Sequence, residues 1–425
     1  MIRFYGGKVL TMDGGCELRD VEVWTDADKI AFVGEPDAQQ LENTAFEREI
    51  DLHGDVLMPG FKNAHTHSPM TFLRSYADDM PLQDWLTKQI FPMEAKLTSE
   101  RIYHLTKLAV LEYLTSGCTA AFDMYFMRDG FVQACEEMGF RSVMCGAVMG
   151  AQESARELEE DFEKYNGKSP LISFMLGFHA EYTCSKELLT AIGGLAKKYR
   201  APVAMHSSET RREVDECIAR HGMTPTQLFD SLGIYDHGGA AFHCVHMTQE
   251  DMQILIKRNV SAVHCPASNL KLASGIAPIV QMQQAGIDLA LGTDGPASNN
   301  ALDMFREMYL MTVLQKSVNA DASACSPQSV LTAATVGGAR AMGLADCDVI
   351  APGKQADLIV LDMDKPNMQP VNNIVSNIVY SADKTNVRLT MCAGRVLYER
   401  GEFAFADKEE IYANANRIIN EMKTE

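Results

Sequence analysis

Positive charge is in short supply: 38 Lys and Arg stand against 57 Asp and Glu, a formal net charge of −19. A field of that sign repels nucleic-acid phosphates and anionic lipid, so neither is expected as a partner. No run of about 18 apolar residues occurs, which excludes a helical membrane span. The opening MIRFYGGKVLTMDGG has no basic segment ahead of an apolar one, so no signal peptide is expected. Cys-x-x-Cys pairs are missing as well. The 11 cysteines are odd in number and scattered from Cys16 to Cys392, several of them in apolar runs, as at Cys118, Cys145 and Cys392. That pattern argues against a disulfide framework or a thiolate zinc site and reads as reduced, buried thiols in a cytoplasmic protein. Internal repeats and low-complexity stretches are absent too.

What is present is an ordinary globular composition, 46% hydrophobic and 22% charged, over 425 residues. At roughly 100–200 residues per domain, that length allows two or three domains, or one large barrel with an appendage. Residues 1–58 read as short strands punctuated by Gly, Asp and Asn, and residues 350–406 read the same way, NIVSNIVYSA included. The two ends are expected to pair into one small β domain, and residues 407–425 to form a terminal helix. Between them, residues 59–349 alternate apolar strands with amphipathic helices. Eight strands are countable: LMPGFKNAHTH, CTAAFDMYF, RSVMCGAVMG, LISFMLGFHAEY, APVAMHSSE, GGAAFHCVHM, VSAVHCPASN and IDLALGTDG. A long helical stretch from about Pro81 to Ser116 separates the first two. Eight β/α units in one segment predict a (β/α)₈ barrel. A doubly wound open sheet would need a glycine-rich phosphate turn after its first strand, and FKNAHTHS is not one.

The histidines carry the chemistry. His65 and His67 stand at i and i+2 of the first barrel strand, so both project to one side at the carboxyl end, where barrel enzymes keep their sites. Alone, such a pair is as often a surface or core feature as a ligand pair. Seven histidines fall at expected strand ends: His65, His67, His179, His206, His243, His246 and His264. His104, His221 and His237 lie in helices or loops. Asp294 closes the eighth strand. A single divalent metal held by His65, His67, His206 and Asp294 would leave room for a water, the pattern of a catalytic rather than a structural site. A second metal bridged by a modified lysine is not expected, because the fourth strand has no Lys. Glu209, three residues beyond His206, is placed to shuttle a proton, or else is a solvated loop carboxylate. His243 is placed to orient the water with Asp294, or else is a satisfied core histidine.

The motifs HTH, HSSE, FHCVH and GTDG, in that order, resemble the amidohydrolase superfamily over essentially the whole chain. MPGFKNAHTHSPMTFLRS, DMPLQDWL, FPMEAKLT, HCPASNLKL, LGTDGPASNN and GKQADLIVLD are similar to its 5′-methylthioadenosine/S-adenosylhomocysteine deaminase subgroup. The resemblance implies that the β domain of the two chain ends is a β-sandwich. It implies a metal-dependent hydrolytic deaminase of an adenine nucleoside: 5′-methylthioadenosine, adenosine, 5′-deoxyadenosine or S-adenosylhomocysteine. It implies one zinc, with iron(II) or manganese(II) as alternatives, on His65, His67, His206 and Asp294. Glu209, His243 and Asp294 become the catalytic groups. Glu94 is implied to bind the ribose hydroxyls and His179 to line the pocket, with Glu209 and Asp294 also touching substrate. Two departures stand out. Ala180-Glu181 replaces a common Ser-Pro, making Glu181 a new pocket group or a solvated carboxylate. Cys145 also occupies the place expected of an Arg that receives a homocysteine carboxylate, with Arg156 as a possible substitute. A neutral nucleoside is therefore the favoured substrate. A free base, pterin or triazine, and a non-catalytic scaffold, are the competing readings. The only partner expected is the small-molecule substrate, with a homo-oligomer possible. Trp85, in the 75–86 loop, is expected to pack beneath that loop.

Overall fold

The computed structural model describes residues 1–150 and 154–425. Eight parallel strands follow one another in chain order: Phe61–Thr66, Cys118–Met124, Arg141–Cys145, Ile172–Gly177, Val203–Ser207, Gly239–His243, Val260–His264 and Leu289–Leu291. They are the eight apolar runs of the sequence. Parallel strands buried on both faces need no polar alternation, and all seven residues of Cys118–Met124 are buried. The first and eighth strands meet through the Asp294 N–H, which donates to the His65 carbonyl at 2.9 Å. The Asn63 side chain reinforces the seam, accepting from the Thr293 N–H at 2.9 Å and donating to Thr293 Oγ1 at 2.7 Å. Gly292 is needed there, since a Cβ would lie 2.7 Å from the backbone nitrogen of His65. Ala64, Phe122, Val143, Met175, Phe242 and Val263 are among the side chains that fill the barrel interior.

The helices start where side-chain caps allow. Ser154 and Glu157 form a capping box on Ala155–Tyr165, and Thr248 and Asp251 form one on Gln249–Arg258. The stretch expected as one helix from Pro81 to Ser116 is instead divided. Leu82–Trp85, a π turn at Leu86–Ile90 and Phe91–Glu94 come first, and Ser99–Thr115 begins anew at its N-cap, Thr98. Thr98 is extended and its hydroxyl accepts from the Arg101 N–H, so it starts a helix rather than continuing one.

Both chain ends enter a β-sandwich. One sheet has the order Lys29–Gly34, Glu22–Asp26, Ile2–Tyr5, Arg48–Asp51. The other has seven strands and joins the ends where Val56–Pro59 pairs antiparallel with Leu358–Leu361. Phe4, Val23, Ile50, Leu57, Leu358 and Leu389 belong to one shared core, which neither end could close alone. The expected strand in NIVSNIVYSA is a helix, Ile374–Tyr380. Asn373 caps it, and Val375, Ile378 and Val379 are buried at helical spacing, so tertiary burial overrides the β-branched propensity. The terminal helix Lys408–Thr424 buries Ile411, Ala415, Ile418 and Met422. Among the described residues, no helix is long and apolar enough to cross a membrane. All eleven cysteines are free thiols.

A buried ion cluster ties barrel to sandwich. Asp357 accepts from Arg141 Nε at 2.8 Å and Nη2 at 3.1 Å, and Lys62 Nζ lies 4.0 Å away. Burial works to raise the Asp357 pKa, but the two cations win and hold it below the usual carboxylate range. Asp357→Ala leaves both cations without their counterion. Unfolding in urea should show a loss of about 3–5 kcal/mol, the usual cost of breaking a buried pair. A midpoint equal to wild type would show that the cluster contributes nothing.

Candidate active site

Five imidazoles come together at the carboxyl end of the barrel. His65 sits in the first strand and His67 just past it, His206 in the fifth and His243 at the end of the sixth; His179 follows the fourth. Ring centroids of His65 lie 4.9 Å from both His67 and His206, and His206 lies 5.3 Å from His243. Asp294, three residues past the eighth strand, reaches in from beside His65. Its Oδ1 is 3.2 Å from His67 Nε2 and 3.5 Å from His65 Nε2.

Neighbouring groups orient each ring. The His67 Nδ1–H donates to the Met124 carbonyl at 2.6 Å, His206 Nδ1–H to the His179 carbonyl at 2.7 Å, and His243 Nδ1–H to Asn269 Oδ1 at 2.8 Å. With Nδ1 occupied, Nε2 of His206 and of His243 is the ring nitrogen left for the centre, and Nε2 of His67 faces Asp294. Asp294 is held as firmly: Oδ2 accepts from Ser268 Oγ at 2.5 Å and Ser298 Oγ at 2.9 Å, and Oδ1 from the Gly295 N–H at 2.7 Å. Ser208, His243, Cys244 and Asp294 all have φ between +49° and +71°. These left-handed residues at strand ends turn the site groups inward at a cost in backbone strain.

Two observations fit a divalent cation. Both ring nitrogens of His65 are fully buried with no hydrogen-bond partner among the described residues, a costly state for an imidazole with nothing to bind. The donor atoms of His65, His67 and Asp294 also lie within 4.8 Å of one another, as do those of His65, His206 and His243. A tetrahedron of donors about 2.0–2.1 Å from zinc has edges of about 3.3–3.4 Å, close to the two Asp294–imidazole separations. Electrostatics agree. Burial pushes His65 down to about 3 and His206 well below its ordinary range. Burial also acts to lower His67, but Asp294 overrides it and holds His67 up at about 9. Asp294 resists its own burial through His65 and His67 and stays well below the usual carboxylate range. The Asp294 charge beside the neutral His65 and His206 suits a cation, which would displace the proton that Asp294 holds on His67.

A cavity opens over this cluster. Glu209, His179 and Glu94 all line it. Glu209 is buried, accepts from Ser274 Oγ at 3.2 Å and lies 3.9 Å from His243 Nε2. Burial raises its pKa, and Asp294 adds to the shift. Glu94, on Phe91–Glu94, is buried and accepts from the Tyr125 hydroxyl at 2.6 Å; burial pushes it up to about 7. Leu82, Trp85 and Leu86 form an apolar wall, with Trp85 Nε1 donating to the Ala77 carbonyl at 2.8 Å. Trp85 therefore both packs under its loop and faces the cavity.

Other expectations need correction. His246 and His264 do not line the cavity. His246 Nε2–H donates to the Ser274 carbonyl at 2.8 Å. His264 is buried, and like His65 both its ring nitrogens have no hydrogen-bond partner among the described residues. Glu181 is neither a pocket group nor solvated: it is buried against Arg220 and His221, at 3.2 Å and 3.1 Å. Arg156 is exposed on its helix and pairs with Glu160 at 2.8 Å. Cys145 packs inside the barrel. Ser268, Asn269, Ser298, Ser274, Tyr125 and Glu213 hold or adjoin the site without standing out in the sequence. Ser268, Asn269 and Ser298 fall within the HCPASN and GTDGPASNN stretches, so proximity to motif residues is the signal that could have found them.

Residues 56–397 match the amidohydrolase family. The chain is 40% identical over 412 residues to a 5-methylthioadenosine/S-adenosylhomocysteine deaminase of Caldanaerobacter subterraneus subsp. tengcongensis, spanning 95% of this chain and 94% of that protein. It is 38% identical over 414 residues to a 5′-deoxyadenosine deaminase of Methanopyrus kandleri, spanning 95% and 96%. A crystal structure of an adenosine deaminase from Xanthomonas campestris with bound zinc superposes with a TM-score of 0.93 at 35% identity, covering 100% of this chain and 99% of that one. By fold, by strand-end chemistry and by these likenesses, this chain belongs to the amidohydrolase family.

Proposed function

We propose that the protein is a hydrolytic deaminase of an adenine nucleoside with a neutral 5′ group, such as 5′-methylthioadenosine, 5′-deoxyadenosine or adenosine. The observation that carries this reading is a buried carboxylate, Glu209, lining one cavity with His67, His206 and Asp294, while His65 joins His67 and Asp294 in one donor group and His206 and His243 in another. Those four residues would hold one divalent metal, zinc in the first place, which when bound supplies Lewis acidity and makes water acidic enough to attack at neutral pH. Glu209 takes a proton from the attacking water and delivers it to the purine ring nitrogen next to the amino-bearing carbon. The new C–O bond forms; Glu209, free again, takes the proton of the added hydroxyl and passes it to the amino group, the C–N bond breaks and ammonia leaves. His243, fixed by Asn269, orients the water, and Asp294 accepts from it.

Glu94 holds the ribose hydroxyls while Tyr125 holds Glu94. Glu94→Gln keeps the Tyr125 bond but removes a charge-assisted acceptor worth about 1.5–3 kcal/mol. The expected result is a 10–100-fold rise in KM for 5′-methylthioadenosine with kcat little changed. A 2′,3′-dideoxy substrate should not feel the substitution, and equal sensitivity of both substrates would refute the assignment.

The neutral 5′ group follows from the cavity wall, where no described lining residue is Arg or Lys. Arg156 is engaged with Glu160, and Arg128, on the adjoining cavity, with Asp161, so a homocysteine carboxylate would have to compete for either cation. The decisive experiment measures ammonia release and absorbance change together across adenine nucleosides, guanine, cytosine and melamine. Turnover confined to adenine nucleosides, with kcat/KM for 5′-methylthioadenosine at least about tenfold above S-adenosylhomocysteine (roughly 1.4 kcal/mol), is expected. Turnover of free bases or triazines alone would overturn the proposal, and no turnover by metal-loaded protein would favour a scaffold.

A further inference from the structure

A second buried carboxylate stands directly behind Glu209. Glu213 lies in the first turn of Arg211–His221, the helix that follows the fifth barrel strand, and is 3% exposed. Thr210 already caps that helix, its hydroxyl accepting from the Glu213 N–H at 3.1 Å. The Glu213 side chain turns back beyond the cap. Its Oε1 accepts from the Ser208 N–H and its Oε2 from the Glu209 N–H, each at 2.8 Å. Ser208 has φ of +53°, a conformation that a residue with a side chain keeps only when its surroundings impose it. On the far side, the Ser208 carbonyl accepts from the His246 N–H at 2.9 Å. The peptide leading into Glu209 is thus gripped from both directions.

We propose that Glu213 is a positioning residue for the reaction: its two-pronged grip on consecutive amides holds the Ser208–Glu209 turn so that the Glu209 carboxylate faces His243 and the cavity. This rests on the reading of Glu209 as the proton carrier. Only a carboxylate matches the geometry. Two adjacent N–H groups need two acceptors, and a carboxamide would offer one acceptor and set its NH₂ against the other amide. A helix cap alone would not need a charge here, because Thr210 supplies the cap. Burial works against a charge at this spot, as does the nearby Glu209 carboxylate, so the grip is held at a cost that a neutral residue would avoid.

The test uses metal-loaded full-length enzyme with 5′-methylthioadenosine. Glu213→Gln should lower kcat 10–100-fold with KM within threefold of wild type and metal content unchanged. The same change in a Glu209→Gln background should cost less than threefold further, because Glu213 acts through Glu209. Thr210→Ala should lower Tm by a few degrees and leave kcat unchanged, which separates capping from positioning. Ser208→Gly, whose glycine takes the left-handed turn unaided, should recover part of the loss in E213Q, and it supplies a second variant should E213Q alone fold poorly. A wild-type kcat in E213Q, or losses that add fully in the double variant, would overturn the inference. Wild-type turnover by Glu209→Gln would instead overturn the reading of the reaction itself.

Discussion

Glu209→Gln lowers kcat for 5′-methylthioadenosine about 10²–10⁴-fold, the range that a positioned proton carrier contributes, while KM, bound metal and Tm stay near wild type. The prediction is clean because the substitution is nearly silent structurally. A glutamine oxygen still accepts from Ser274 Oγ, and the backbone bonds to Glu213 do not involve the altered side chain. What disappears is the ability to take up and release a proton. The surroundings of Glu209 suit proton transfer, since burial and Asp294 lift its pKa, with His243 opposing, and bring a carboxyl closer to neutral working pH. Steady-state kinetics of the purified variant decide the matter. A kcat within tenfold of wild type would remove Glu209 from the chemistry.

Asp294→Ala should be at least as severe, for a different reason. Asp294 is the only carboxylate in either donor set of the site among the described residues, so its loss removes the negative charge that makes a cluster of imidazoles a cation site. Metal analysis should fall from one ion per chain to a small fraction. Activity should fall about 10³–10⁴-fold or more, corresponding to the several kcal/mol that a metal contributes. Dialysis of wild-type protein against a chelator should produce the same loss, reversed by zinc only in the wild type. The alanine also leaves Ser268 Oγ, Ser298 Oγ and the Gly295 N–H without their acceptor. A modest loss of stability is therefore expected with unchanged far-UV circular dichroism. Full metal occupancy in Asp294→Ala, or full activity after chelation, would end the metal-site proposal.

Much of the architecture is legible in the sequence. The eight barrel strands stand out because strands buried on both faces are unbroken apolar runs, and the helices between them carry Ser or Thr caps in the right places. Ile374–Tyr380 reads as a strand because its β-branched residues favour one, and only the packing of Val375, Ile378 and Val379 shows the helix. Similarly, the stretch from Pro81 to Ser116 looks uniformly helical until Thr98, extended and capping, interrupts it.

The same division runs through the site. Sequence alone determined which side chains lie at the mouth of the barrel: the two-residue period of a strand and the position of each motif at a strand's end place His65, His67, His206, His243 and Asp294 together. Only the tertiary structure decided which neighbouring groups belong with them. His246 and His264 share the same motifs yet do not line the cavity, Glu181 is consumed by Arg220 and His221, and Glu94 comes from a distant short helix to face the cavity. Local spacing specifies a side chain's direction relative to its own strand. Burial, partnership and the orientation of each ring depend on groups far away in sequence, such as Asn269 for His243 and Met124 for His67, and those exist only once the chain has folded.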